Sequence, residues 1–423
     1  MFAQLRIIPI CIIRLLLYTL YVCIEIFDQD GEPSDHQIVD NFLNWKSTNV
    51  LPCILHTFGF TYVTLFFHAD IYIYIYIYIN KTLLFYYCLL FTRYALDSVI
   101  LAEMAAQGNG TFGFIPDAGF VGTSFVNAIS NLFVVCGTDV QVKINGPIKR
   151  ILGFENIHNA KKEGFVLQLG SVQSGQDKHI VVELLDGSDP VTAEVSYTHM
   201  GLRRHTVSTN SHARTAVQLD DEDFQVQYFR SKFVSTFPAD KLQELLRNPN
   251  TLKNSSNEFA LKIEALAQEM GESSVGRNPH LIGLLQDVSG QVREAFGYEA
   301  YMKWGRHYIL SLVGAHNDEL CTNFKDPGIQ FYGGDFWKAL RDDVDKLFCT
   351  ISAPIPSKQP AANRSAVARS APVSMASYNN ADDPCFAGSS QVLLANGTTT
   401  RVENGMWLVW CMCLVDGYVF IIV

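Results

Sequence analysis

The chain has 423 residues, room for two to four domains at roughly 100 to 200 residues each. Acidic residues outnumber basic ones, 42 against 32, and the net charge of -10 argues against a nucleic-acid partner, which needs a basic face. The 10 Cys residues show no even framework of spacings, a usage that fits reduced thiols in the cytosol.

Residues 1–23 are an apolar start. Ile7, Ile8, Ile10, Ile12 and Ile13 imitate a signal peptide or anchor, but Pro9 and Arg14 interrupt the run and no small-residue cleavage site follows. From 24 to 136 the pattern is that of a parallel α/β sheet. Ile24 to Phe27 reads as a strand that ends in the turn Asp28-Gln29-Asp30-Gly31, and Ile54 to Phe60 reads as a buried strand. Beyond an insert at 63–93, Leu96, Val99, Ile100 and Met104 recur at helical spacing, and Gly108-Asn109-Gly110 ends that helix. Thr111 to Ile115 reads as a short strand, and Phe120 to Val134 as a second amphipathic helix. Strand, helix, strand, helix is the rhythm of a doubly wound sheet.

The insert carries a strict Ile-Tyr alternation from Ile71 to Ile79, followed by the apolar run Leu83 to Phe91. Taken literally it is a long two-faced β run, or a membrane span of about 20 residues with Asn80 and Lys81 inside it. A translated dinucleotide microsatellite gives the same residues. We read it as a retained intron, because the flanks join into one α/β pattern when it is removed. The membrane alternative at 65–91 lacks a flanking charge bias.

Between 137 and 204 the texture changes to alternation, at Val140 to Ile144, Gly164 to Gly170, His179 to Leu184 and Ala193 to Tyr197. Strands divided by Gly, Asn and Asp turns predict an antiparallel β-sandwich ending near Arg204. Residues 220–351 then carry apolar positions three and four apart, such as Leu281, Leu284, Leu285, Val288 and Val292, and predict a helical bundle. Residues 352–380 are a Pro/Ala/Ser linker. In 381–405 the segment Val392 to Leu394, the Asn396-Gly397 pair and Thr398 to Val402 predict a β-hairpin, and 406–423 is an apolar tail.

His307, His316 and Cys321 are all zinc-ligand types, but their spacings lack the close pairs of structural zinc sites. Asp342, Asp343 and Asp345 read as a solvated helix face rather than paired catalytic carboxylates. No Gly-x-Ser-x-Gly, phosphate loop, dinucleotide fingerprint or His-Glu-x-x-His occurs.

The stretch Cys385-Phe386-Ala387-Gly388, followed by Val392-Leu393-Leu394-Ala395-Asn396-Gly397-Thr398, resembles the opening of a Hint domain, the Hedgehog/intein self-processing module. The resemblance implies that Cys385 is a nucleophile for its own preceding peptide carbonyl, since a thiolate is both a strong nucleophile and a good leaving group. No Thr-x-x-His block follows Cys385 to protonate the leaving amide. Residues 24–136 resemble the C-terminal half of a von Willebrand factor A (vWA) domain, in which the turn at Asp30 implies a ligand for Mg²⁺. The family's Asp-x-Ser-x-Ser loop is missing. Trp304 to Tyr308, Cys321 to Gln330 and Tyr332-Gly333-Gly334 resemble the segment between A and Hint domains in a group of eukaryotic multidomain proteins.

The expected fold is therefore multidomain: a partial vWA-type α/β sheet, an antiparallel β-sandwich, a helical bundle and the first hairpin of a Hint β-domain, truncated at both ends. The expected function is that of a non-catalytic cytoplasmic interaction protein with an unidentified protein partner, no nucleic acid and no cofactor, Mg²⁺ being implied only for full-length relatives. The alternatives are Hint-type self-cleavage at Cys385 and a membrane-anchored protein.

Overall fold

A computed structural model of the chain describes residues 40, 44, 53–60, 71–79, 82–92, 98–116, 118–154, 164–185, 191–199, 203–210, 222–238, 242, 252–351, 391–394, 399–401, 411–415 and 418–422. For some of these, among them 71–79, 82–92, 252–257 and the strands beyond 390, the backbone alone is described. The chain divides into two units, Met1–Asn379 and Asn380–Val423.

The larger unit begins with a four-stranded sheet. β1 (Cys53–Phe60) runs parallel to β4 (Phe112–Ile115), and helix α1 (Ser98–Gln107) lies between them in the chain. The alternating β4 sequence sends its side chains to opposite faces of the sheet. Phe112 and Phe114 pack with Leu101 and Ala105 of α1. Ile115, with Phe58 of β1, packs on Phe125 and Val126 of helix α2 (Val121–Phe133). Phe58 and Phe125 stack at 4.9 Å between ring centroids. A Cβ at Gly113 would stand 2.9 Å from the Phe58 ring, so glycine there leaves the room that this stack occupies. Helices thus cover both faces, as the α/β rhythm of the sequence implies.

The insert does not loop away from this sheet. β2 (Ile71–Ile79) and β3 (Thr82–Thr92) pair antiparallel, and β3 runs parallel to β1 from Cys53↔Phe85 to Phe60↔Thr92. A period-two alternation of Ile with Tyr forms a strand wherever it meets a pairing edge, and here the segment read as an insert pairs alongside β1. The sheet order β2-β3-β1-β4 puts both added strands on one side, so the β1–β4 pair closes without them.

Helix α2 leads through the single residue Val134 into β5 (Val135–Asn145), the central strand of the next layer. Antiparallel pairing gives the order β10-β9-β5-β7, with β7 at Phe165–Gln173, β9 at Thr192–His199 and β10 at Arg203–Asn210. A two-stranded sheet of β6 (Ile148–Ile151) and β8 (Val182–Leu184) faces it. Val142, Ile144, Ile148, Ile151 and Leu167 form the core between them. The predicted end near Arg204 falls inside β10, which runs on to Asn210.

The helical part comprises α3 (Glu222–Thr236), α4 (Leu252–Glu272), α5 (Pro279–Asp287), α6 (Arg306–Asp318) and α7 (Asp335–Thr350). Asn278 caps α5 by accepting a hydrogen bond from the His280 amide at 2.9 Å, and Pro279 follows at its first position. Between α5 and α6 the chain passes through π-helical turns at Val288–Val292 and Tyr301–Gly305. Gly305 sits directly on the Ala295 backbone, where a Cβ would overlap the Ala295 carbonyl. Phe237, Phe259 and Phe296 stack on one another with centroids 5.5 to 5.7 Å apart. Burying each of these rings contributes roughly 1.5–3 kcal/mol.

Helix α7 does not stay with the bundle. Its buried Trp337, Leu340, Val344 and Phe348 join Phe125 and Val126 of α2, so the last helix seals the far face of the parallel sheet. Helix α6 closes the free edge of β4. Ser311 Oγ accepts from the Phe114 amide at 3.2 Å and donates to the Phe112 carbonyl at 3.3 Å, standing where a neighbouring strand's main chain would be.

In the unit Asn380–Val423, β11 (Gln391–Leu394) pairs antiparallel with β12 (Thr399–Arg401) in the register Gln391↔Arg401. β13 (Cys411–Val415) adds to the other side of β11, and β14 (Tyr418–Ile422) pairs with β13. Residues 411–415 and 418–422 of the apolar tail therefore extend the sheet started by the two predicted strands.

Candidate functional site

The polar chemistry of the larger unit concentrates where α3, α5 and α6 meet the loop after α6. Arg230 of α3 lies in the buried stripe with Val226, Phe229 and Phe233, an apolar environment that requires every guanidinium hydrogen to be placed. It donates to the His316 carbonyl at 2.9 Å, the His179 carbonyl at 2.7 Å and Gln227 Oε1 at 2.6 Å, and stands 3.5 Å from Glu319 Oε1. Glu319 is the left-handed residue that ends α6, with φ of 49°. Its carboxylate accepts from the His179 amide at 2.6 Å and lies 2.7 Å from His179 Nδ1. Burial alone pushes the Glu319 carboxyl up. The His179 and Arg230 contacts outweigh that and hold it below the usual carboxylate range, while the bond to Glu319 raises His179. Lys178 donates to the main-chain carbonyl of Asp318 at the carboxyl end of α6, where a cation satisfies an otherwise orphaned acceptor. A short arm of the sandwich, Lys178-His179, is thereby locked into the helical part.

A second cluster holds the loop that follows α6. Asp287, at the end of α5, accepts from the Gly328 amide at 2.9 Å and lies 3.3 Å from His316 Nε2. His316 Nδ1 meets the Tyr332 hydroxyl at 2.6 Å. Burial pushes Asp287 up to about 8 and His316 down to about 3, both shifts favouring the uncharged forms. Asp326 accepts from the Tyr308 hydroxyl at 3.0 Å and from Asn323 Nδ2 at 2.8 Å, and burial next to Asp287 raises it to about 6. Gly328 touches both the Asp287 carboxylate and the His316 ring, leaving no space for a side chain.

The three zinc-ligand candidates are kept apart. His307 Nδ1 pairs with Ser98 Oγ, the first residue of α1, and His307 Nε2 accepts from Arg306 Nε at 3.1 Å. This Ser-His contact carries a cation where a nucleophile's base needs an orienting carboxylate, and burial takes His307 down to about 3. His316 belongs to the Asp287 pair. The Cys321 thiol lies 3.4 to 3.6 Å from Asn323 O, Gln330 Oε1 and Asn127 Oδ1, and burial pushes it up to about 12. No cluster of three or more His, Cys, Asp or Glu suited to a metal ion occurs among the described residues. Asp342 and Asp343 lie on the outer side of α7 beside Arg341 and Lys346. Cys385 and Asp30 lie outside the described residues. A cleft of about 590 Å³ opens where α1, β7 and α6 approach, with Phe112, Leu169, Phe237 and Leu310 on its walls and Lys178 and Asp318 at one side.

The second cluster and Glu319 lie within a segment that matches a family model, whereas Arg230, Lys178 and His179 lie before it. Residues 278–346 match the family VWA / Hh protein intein-like. The matched segment runs from the cap of α5 to the outer turns of α7 and holds Asp287, His316, Glu319, Cys321 and Asp326. No curated protein and no solved structure matches the chain. Among the described residues no helix is long and apolar enough to cross a membrane.

Sequence reasoning missed Arg230, Glu319, Asp287 and Asp326. A signal was there: Arg230 is four residues from Val226 and three from Phe233, and Asp287 sits between Leu284 and Val288. A charge inside a helical apolar stripe requires a buried partner.

Proposed function

We propose that this chain is an interaction protein of the vWA–Hint kind, its larger unit serving as a rigid scaffold and not as a catalyst. The observation that carries this reading is the Arg230–Glu319–His179 knot. The most chemically capable side chains of the segment are used to bind the sandwich arm to the ends of α3 and α6. The same holds for Asp287, His316 and Asp326, whose partners are the Gly328 amide, the Tyr332 and Tyr308 phenols and the Asn323 side chain of the fold itself. On this reading the Mg²⁺ implied by resemblance for full-length relatives is no resident of this chain, and the protein acts in the cytoplasm.

The competing reading is self-cleavage at Cys385. There the Cys385 thiolate attacks the Pro384 carbonyl, the Pro384–Cys385 peptide bond breaks as the nitrogen takes a proton to become an amine, and the acyl group rests on sulfur as a thioester. An added thiol then takes the acyl group and releases the two pieces. Incubating the purified chain with dithiothreitol and weighing the products by mass spectrometry separates the readings. An intact chain supports the scaffold. A break between Pro384 and Cys385 that disappears in Cys385→Ala overturns it in favour of processing.

A further inference from the structure

The scaffold reading leaves open which surface meets a partner, and one edge of the sandwich has the chemistry to do so. Among the described residues β10 ends its sheet, pairing with β9 on one side and with no strand on the other. Register fixes what the β9–β10 ribbon presents. His199 stands opposite Arg203, Tyr197 opposite His205, and Val195 opposite Val207. These six share one face, because side chains alternate along a strand. The His205 ring stacks on Tyr197 at 5.5 Å and meets His199 edge-on at 5.9 Å. Val195 packs against the sandwich core, whereas Arg203 and His205 are exposed and Val207 is 59 % exposed.

Charge along the face has one sign. Ala193, Val195, Tyr197 and His199 of β9 and Arg203, His205, Val207 and Thr209 of β10 include no acid, and Glu194 falls on the opposite face beside Lys143. On a chain of net charge -10 this strip carries one arginine, aromatic rings and no acid along a main-chain edge that pairs with no strand among the described residues. Arg204 is not available to it, since its guanidinium is bonded to Gln141 and Ser196 on the other face. An edge guarded by arginine discourages neutral or basic strands and remains receptive to an acidic one.

We infer that the outer edge of β10 is a docking site for an extended acidic peptide of a partner protein. The peptide adds as a strand along Arg203–Asn210 and places a carboxylate over Arg203 and an apolar side chain against Val207. Main-chain hydrogen bonds supply the affinity and the side-chain strip supplies the selectivity, as in other strand additions. The inference rests on the interaction reading of the chain.

The test uses the full chain and a fluorescent octapeptide of alternating Glu and Val, followed by anisotropy. Expected are saturable binding, no binding of the Lys-Val counterpart, and at least a tenfold weaker complex for the exposed-site variant Arg203→Glu with His205→Glu. Two further peptides are methylated on alternate amide nitrogens, one in each register. Strand addition requires one of them to lose binding and the other to keep it. No saturable binding overturns the inference, as does indifference to the Arg203→Glu change or equal binding by both methylated peptides, which marks plain ionic association. Repeating the titration on Cys385→Ala keeps the outcome separate from that of the scaffold reading. A chain that cleaves itself can still dock the peptide, and one that stays intact can still fail to.

Discussion

Replacing Asp287 by Asn distinguishes an uncharged Asp287–His316 pair from a buried ion pair. Burial raises the Asp287 carboxyl from 3.8 to about 8, so the stability it contributes is fully present below pH 3.8 and is lost as pH rises through about 8. His316 is displaced the other way, from 6.5 to about 3, so its contribution is present above pH 6.5 and lost as pH falls through about 3. Each carries a slope of up to about 1.4 kcal/mol per pH unit. Across the whole Asp287 range the loss accumulates to roughly 6 kcal/mol. Asparagine does not ionise and keeps an oxygen at the Oδ2 position for the Gly328 amide. The variant should therefore match the parent near pH 4 and exceed it by roughly 4 kcal/mol at pH 7. Asp326, raised to about 6 by burial and by the neighbouring Asp287, adds a loss of the same sign between pH 3.8 and 6 that Asp287→Asn reduces, so the slope above pH 6 is the one that reads Asp287. Urea unfolding followed by tryptophan fluorescence at pH 4.5, 6, 7.5 and 8.5 reads the slope directly. A variant that is less stable than the parent by about 3–5 kcal/mol at pH 7.5 refutes the reasoning, because that is the signature of a broken buried ion pair.

Arg230→Met should lower stability by about 3–5 kcal/mol at pH 7, since Glu319 stays buried without its guanidinium partner, and chemical denaturation checks it. Ser311→Val removes both bonds at the β4 edge and leaves the Phe112 carbonyl and Phe114 amide unpaired, each at a cost of about 1–3 kcal/mol. Native-state hydrogen exchange at Phe114 should accelerate accordingly, and unchanged exchange would mean that another group seals the edge. Cys321, fully buried and pushed up to about 12, should alkylate with iodoacetamide at pH 8 at least about tenfold more slowly than the half-buried Cys349, and as fast as Cys349 once urea unfolds the chain.

Periodicity made the elements legible. The alternation at Val140 to Ile144 and the three-and-four spacing at Leu281 to Val292 appear where they were expected, because side-chain period reports which face is buried. What single-sequence patterns could not convey is long-range pairing. Nothing near Trp337 in the sequence says that α7 abandons the bundle for the parallel sheet, and nothing near Ser311 says that its hydroxyl faces the Phe112–Phe114 edge. The insert shows the same limit from the other side. Its residues allowed a β run or a membrane span, and whether it pairs depends on the open side of β1 and not on its own residues. At the site, the metal-ligand types His307, His316 and Cys321 drew notice by their chemistry, whereas Arg230, Glu319 and Asp287 act through partners far away in sequence.

The passage from α2 to β5 through Val134 has a mechanical consequence. One residue separates helix from strand, and its carbonyl is clamped by the Ser174 amide at 2.7 Å at the end of β7. A tug on β10, transmitted through β9 to β5, reaches α2 with no slack to absorb it, and α2 lies against Phe58 and Trp337. A ligand that pulls on the sandwich would thus turn a lever whose fulcrum is the parallel sheet.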